Sequence, residues 1–312
     1  MFNKKICILI FSIFIMLFAI NCVNAANYSV TNSTDADTIS KMISGDLPIK
    51  NGKFIKNGDI VKFKAGNYYG VNLTVNKRIK LTTTKKDLRK AVFIGEGSGT
   101  FINVKSKKIN VHGLKIKNYG VAIKAKTNKG SFSKLSLSKN GISISGNKNK
   151  IYKNSFVKSG INVNGKYNKI YSNNVKSGSI TISGYKNTFE KNLERGEFVT
   201  VSGNKNLIIN NKIYSSGLYI QGKSNKVYKN KVSKADTSCI GVYGSKNLIY
   251  YNTVSKADTG IDVNDKGHVL KGNKISNCKY GIVYQFKSVV IKNNIFKANK
   301  KNIWYNPIVY PY

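Results

Sequence analysis

Acidic residues are scarce. The 312-residue chain has 13 Asp and Glu against 53 Lys and Arg, a formal net charge of +40. Arginine is almost missing as well: only Arg78, Arg89 and Arg195 are present, so the excess is lysine. Two histidines are too few for a multi-histidine metal site, and four cysteines are too few for a disulfide scaffold. Hydrophobic residues nevertheless make up 41% of the chain and aromatics 11%, which excludes a disordered polycation. The charge must coat something that has a core.

No long apolar run exists outside the first 25 residues. There, Lys4 and Lys5 precede an uncharged stretch from Ile6 to Ile20, and Val23-Asn24-Ala25 forms a small-residue boundary. This layout predicts a secretory signal peptide over 1–25, cleaved after Ala25. The alternatives are an uncleaved N-terminal anchor and a lipid-modified Cys22, the latter disfavoured by the bulky Asn21 before it. Cleavage would take Cys7 and Cys22 away and leave a chain of about +38 that is secreted or held at the cell surface. The sequence predicts no transmembrane segment after that point.

What is present is a repeat. The unit reads apolar-x-apolar-x-Gly-x-x-Asn-x-apolar-aromatic-x-Asn-x-apolar. Six copies place glycine at Gly146, Gly165, Gly184, Gly203, Gly222 and Gly244, spaced by 19, 19, 19, 19 and 22 residues. Three residues later stand Asn149, Asn168, Asn187, Asn206, Asn225 and Asn247. A second asparagine column follows at Asn154, Asn173, Asn192, Asn211, Asn230 and Asn252, continued by Asn273 and Asn293 in degenerate copies where His268 and Ser288 fill the first asparagine slot. Pairs such as Ile142/Ile144, Ile161/Val163 and Ile180/Ile182 alternate with small or polar residues, the period of a strand with one buried face. Two further inward slots read Ile151 through Phe189 to Val290, and Phe156 through Glu194 to Ile295. Three short β-branched strands per repeat, separated by Gly and Asn, predict an all-β fold: a parallel solenoid of about ten coils stacked about 4.8 Å apart. The asparagine columns are read as structural, satisfying backbone groups at stacked turns.

This repeat resembles the right-handed parallel β-helix of pectate-lyase-like and NosD-like proteins. The leader region, with Asp35-Ala36-Asp37-Thr38-Ile39, Gly58-Asp59-Ile60-Val61 and Ala65-Gly66-Asn67-Tyr68-Tyr69-Gly70, is similar to secreted adhesin-like proteins of methanogenic archaea. The resemblance implies the fold and leaves activity open, because such folds host lyases, hydrolases, epimerases and non-catalytic surface proteins. The predicted organisation is signal peptide 1–25, N-terminal cap and first strands 26–90, β-helix repeats 91–301 and an aromatic C-terminal cap 302–312. Asp35 or Asp37 is expected to N-cap a short helix ending near Gly45, and Ile303, Trp304, Tyr305, Pro307, Ile308 and Val309 to close the other end. Cys239 and Cys278 precede turns two coils apart, roughly 9 to 10 Å by the strand spacing, so two free thiols are expected.

In the related enzymes, carboxylates converge from neighbouring coils to hold Ca²⁺ or act as acid and base. Two groups here qualify as candidates: Asp236 and Asp258 in twin Ser-Lys-Ala-Asp-Thr segments with Asp262 and Asp265 nearby, and the coil carrying Glu190, Glu194, Arg195 and Glu197. Each also has a structural reading. The twin segments suit exposed turn insertions, and Leu193 could turn inward through a bulge, leaving Glu194 in water. No metal site or other cofactor is expected, with a Ca²⁺ ion on the first group as the alternative. His112 and His268 are read as turn residues.

The outward position beside the second slot reads Tyr152, Tyr171, Glu190, Ile209, Tyr228, Tyr250, Lys271, Ile291, flanked by Lys150, Lys153, Lys169, Lys191, Lys226 and Lys229. Such a strip, expected to be flat, would suit an anionic polysaccharide of the cell envelope or surroundings, although stacked aromatics also stabilise a bare sheet. Three arginines and no recognition motif argue against nucleic acid. The resulting expectation is a non-catalytic surface binder of anionic polysaccharide, with a polysaccharide lyase or hydrolase and a structural spacer as its rivals. Sequons at Asn27, Asn32 and Asn72 lie in the cap.

Overall fold

The computed structural model describes residues 25–214 and 216–307. The expected signal peptide, with Cys7 and Cys22, and the C-terminal Ile308 and Val309 lie outside the described residues. The chain winds as a right-handed parallel β-helix with three faces per coil. Strands such as Lys150–Tyr152, Lys169–Tyr171 and Thr188–Glu190 stack in parallel as the first face, a sheet of 13 strands. That exceeds the expected ten or so coils because Asn27–Val30, Ile60–Phe63 and Lys80–Thr83 already belong to it. The second face is built by strands such as Asn174–Lys176 and Leu193–Arg195, the third by strands such as Ile180–Tyr185 and Val199–Asn204. Strands Ser136–Ser145 and Ser155–Lys166 run continuously round the third corner, which joins the second and third faces into one 22-stranded sheet.

The inward slots form one continuous core, with Ile151, Ile170, Phe189, Ile208 and Val227 stacked along the first face. At the N-terminal end, helix Ala36–Ser44 packs Ile39 and Ile43 into this core. Asp35 caps it by accepting the Thr38 N–H at 2.8 Å, while Asp37 pairs with Lys41 at 2.7 Å one turn later. Gly45, at φ 95°, ends it. At the far end Lys301–Tyr305 is a further third-face strand, in register with Tyr280–Tyr284.

Three corners per coil require three abrupt changes of direction, and through most of the repeat coils a residue in the left-handed region supplies them. The asparagines repair what the corners leave unpaired. In the first column, Asn168 Oδ1 accepts the N–H of Asn149 one coil earlier, and its Nδ2 donates to the Gly146 carbonyl. The repeat's glycine and asparagine are therefore partners across coils. Gly184, at φ 118°, shows why the glycine is needed, since a Cβ there would clash with the carbonyl of Gly165. In the second column, Asn192 Oδ1 accepts both the N–H and the Nδ2 of Asn173, and its own Nδ2 donates to the Ile170 carbonyl. His268 occupies the first column and accepts from the Asn247 N–H through Nδ1.

The final coil departs from the expected register by one residue. Asn294, not Asn293, accepts from Asn273, while Asn293 is exposed with φ 54°. Ile291 and Phe296 consequently face inward, and Val290 and Ile295 face outward. The coil is 21 residues long like its predecessor, and a one-residue slip in a strand exchanges its faces. Cys239 and Cys278 are free and buried. They occupy different columns: the register sets Cys239 beside Gly260 and Cys278 beside Ala257. Burial pushes the Cys239 thiol up to about 12.

Removing one rung tests the ladder. Asn192→Ala would orphan the buried Asn173 N–H and Ile170 carbonyl, at about 3 kcal/mol in total. The expected result is a clear fall in the urea midpoint with the far-UV β-signal retained in water; an unchanged midpoint would contradict the role assigned here.

Candidate functional site

The acidic candidates do not converge. Asp236 and Asp258 are both exposed, at the third corner of successive coils. Asp265 accepts only the neighbouring Lys266 N–H, and Asp262 lies on the third face with Asn264 Nδ2 at 3.4 Å. Among the described residues no three His, Cys, Asp or Glu side chains are placed to hold a metal ion.

The expected bulge at Glu194 is not there. Glu194 is fully buried in strand Leu193–Arg195, stacked between Val175 and Ile213. Ser216 Oγ donates to its Oε2 at 2.6 Å, and Oε1 has no partner among the described residues. A bulge would have broken the parallel pairing on both sides, so the register holds the side chain inward. Burial pushes the carboxyl up to about 7, opposed by the Ser216 hydrogen bond. Its neighbour Glu190 is outward, 3.3 Å from Lys191. Glu194 thus has the protonation behaviour of an acid–base group but no route to a ligand.

The outward tyrosines keep their column but not the expected flat strip. Tyr152 and Tyr171 stack with centroids 4.8 Å apart and planes 3° from parallel, and Tyr228 and Tyr250 do so at 4.6 Å and 8°. Within each pair the ring faces are turned to one another, so the strip offers solvent its ring edges and hydroxyls. Glu190 and Ile209 interrupt it between the pairs. Lys150 and Lys169 are in register beside the first pair, and Lys226 flanks the second.

Lys153 and Lys229 belong to a larger pattern that the spacing did not disclose. Both are left-handed corner residues, at φ 56° and 55°. The first corner carries Lys129, Lys148, Lys186, Lys205 and Lys246 in the same conformation, the second Lys134, Lys153, Lys191 and Lys229, and the third Lys139, Lys158, Lys234 and Lys256. All 13 are exposed. A left-handed corner turns its side chain away from the core, so each corner becomes a column of ammonium groups separated by one or more strand spacings, interrupted by residues such as Tyr167, Ser172 and Ser177. At the first corner Lys186 lies over the rings of Tyr167 and Tyr185, at 5.8 and 5.2 Å. The legible signal was Lys immediately before the column asparagines, as in Lys148-Asn149 and Lys186-Asn187. Among the described residues only two ion pairs form, Lys41–Asp37 and Lys191–Glu190.

Comparison with known proteins agrees with this architecture. A family model described as "Right handed beta helix region" matches residues 175–306. No curated protein matches the sequence. Among solved structures, the chain is similar to the A-module of the mannuronan C-5 epimerase AlgE4 of Azotobacter vinelandii, with TM-score 0.64 and 12% identity over 88% of this chain and 94% of that one. It is also similar to a GH136 lacto-N-biosidase from Eubacterium ramulus (0.53, 11%, 93% and 70%). A mutant tailspike protein of E. coli bacteriophage HK620 gives 0.52 and 12%, over 86% and 66%. At such identities the likeness establishes the fold, in agreement with the family match over residues 175–306. Among the described residues no helix is long and apolar enough to cross a membrane.

The buried carboxyl gives a pH test. Because the folded-state value of Glu194 lies above the unfolded one, its contribution is fully present below the ordinary carboxylate range and is lost as pH rises through about 7. Glu194→Gln is expected to raise stability near pH 8 by about 3 kcal/mol and to flatten the decline between about pH 5 and 8. Denaturant titrations of both proteins across that range measure it; parallel pH profiles would show that Glu194 is not the titrating group.

Proposed function

We propose that the protein is a secreted or cell-surface, adhesin-like β-helix that binds anionic envelope or extracellular polysaccharide without catalysis. The observation that carries this reading is the set of corner lysine columns, exposed and almost free of internal ion pairs. Ammonium groups repeated along a rigid rod suit a polymer that repeats carboxylate or phosphate along its own axis, since each pair is weak and many act together. Tyr152, Tyr171, Tyr228 and Tyr250 add hydroxyl donors beside Lys150, Lys153, Lys169, Lys226 and Lys229. The solved structures of similar fold include proteins named for mannuronan epimerisation and a tailspike in complex with a pentasaccharide, which supports a carbohydrate partner. The binding needs no cofactor, and lysine in place of arginine favours diffuse charge pairing over the bidentate phosphate recognition of nucleic-acid binders.

The rival enzyme reading is tested in the same experiment. Polygalacturonate, alginate and other acidic polysaccharides are presented at low and high salt while soluble products are assayed. Binding is expected at low salt and is expected to fade as salt rises. Replacing Lys148, Lys186 and Lys205 together by Gln should weaken it roughly tenfold, the sum of three exposed pairs. Product release that disappears with Asp258→Ala would establish catalysis instead, and failure to hold any acidic polymer at low salt would leave a structural spacer.

A further inference from the structure

The third face is charged differently from the rest of the molecule. Its six consecutive strands Ile180–Tyr185, Val199–Asn204, Leu218–Gln221, Ser238–Tyr243, Thr259–Val263 and Tyr280–Tyr284 contain no lysine. Asp262 is their single charged residue. In a chain where lysine is so common, six successive strands without one make a surface built for something other than the polyanion proposed above.

At its centre lies Tyr219. It points outward between the inward Leu218 and Ile220, beside Thr200 in one neighbouring coil and Gly241 in the other. A Cβ on Gly217 would sit 2.6 Å from Tyr219 Cε2, and one on Gly241 would sit 2.9 Å from Cδ1. These atoms are on opposite edges of the ring, so the ring lies across the backbone of two coils, in space that the two glycines leave open. Its hydroxyl is anchored 3.0 Å from Thr237 Oγ1. Phe198 stands against it edge-on, with centroids 5.6 Å apart and planes at 65°, and is 59% exposed. Tyr243, 40% exposed, borders Gly241 from the other side.

Unlike the stacked pairs of the first face, Tyr219 therefore has one ring face against the sheet and the other turned outward. Asp262 is one coil beyond Gly241. It has no cation within ion-pair distance among the described residues, and its only hydrogen bond is the long one from Asn264. The face continues toward the N-terminus as a shallow depression over Gly141, Ser143, Gly160, Asn162 and Thr181.

We propose that this face is a second glycan site, in which the Tyr219 ring is the platform for the apolar face of an uncharged pyranose, Phe198 and Tyr243 are its walls, and Asp262 accepts a sugar hydroxyl. A flat aromatic ring with its outer face free matches the C–H face of a pyranose, and a carboxylate held without a counter-ion matches a hydroxyl donor while repelling an acidic sugar. The six strands themselves carry no lysine to hold anionic units; the nearest lysines lie at the corners on either side. The site stands independently of the corner columns.

An array of uncharged glycans washed at high salt tests this, since the corner columns are screened under that condition. At least one uncharged glycan is expected to be retained. Tyr219→Ala and, separately, Phe198→Ala should weaken that retained binding, the former roughly tenfold, while Tyr219→Phe stays within a few-fold of the parent. Salt-sensitive binding to polygalacturonate should be untouched by Tyr219→Ala and weakened roughly tenfold in the triple Lys→Gln variant, so that the two sites fail separately. Retention of no uncharged glycan at high salt, or retained binding that is the same in folded Tyr219→Ala, would overturn the proposal.

Discussion

Every coil of this rod turns three times, and each turn strands backbone donors and acceptors away from water. At two of the three corners the asparagine side chain resolves this: its carbonyl oxygen takes the N–H at the corner of the preceding coil, and its amide nitrogen covers a carbonyl there. A buried amide or carbonyl left unpaired costs more than a typical hydrogen bond gains, so the ladder decides whether short strands can turn at all. The glycine three residues before the first column belongs to the same device, because its carbonyl is what the next coil's asparagine covers. Core residues then need only be apolar and β-branched.

That division of labour frees the exterior. Once the corner is closed from inside by asparagine, the left-handed residue before it is chosen by what it shows to solvent. Lysine, serine, tyrosine and asparagine all occupy the second corner, at Lys153, Ser172, Tyr251 and Asn210. Each accepts a backbone region that L-residues ordinarily avoid at a cost of roughly 1–2 kcal/mol. The surface charge is thus distributed by the geometry of the corners, and the sheet between them can carry a different chemistry, as the six lysine-free strands of the third face do.

The fold was legible because three residue types recur in register, and a recurring Gly-x-x-Asn has few other physical meanings. The misreadings have local causes. Asn293 and Asn294 are adjacent asparagines, so pattern alone could not choose between them, and the choice carried Ile291 and Phe296 with it. Glu194 looked too costly to bury, yet neighbouring strands fixed its register and Ser216 offered a donor from another coil. The stacked tyrosine pairs follow from a coil spacing close to the optimum for ring stacking, a distance that a sequence does not display. Tyr219 was missed because its platform depends on Gly217 and Gly241, two glycines outside the repeat.

The ladder also has a direction. Each column asparagine serves the coil before it, from Asn149 reaching back to Gly130 through to Asn294 reaching back to Asn273. A coil is therefore complete only when its successor is in place. Loss of coils from either side bares a sheet edge, but loss from the C-terminal side also uncovers the corner N–H and carbonyl groups that the column asparagines of the next coil had covered. The rod is a one-way stack, sealed progressively toward its C-terminal end and covered at the other by the helix bearing Ile39 and Ile43.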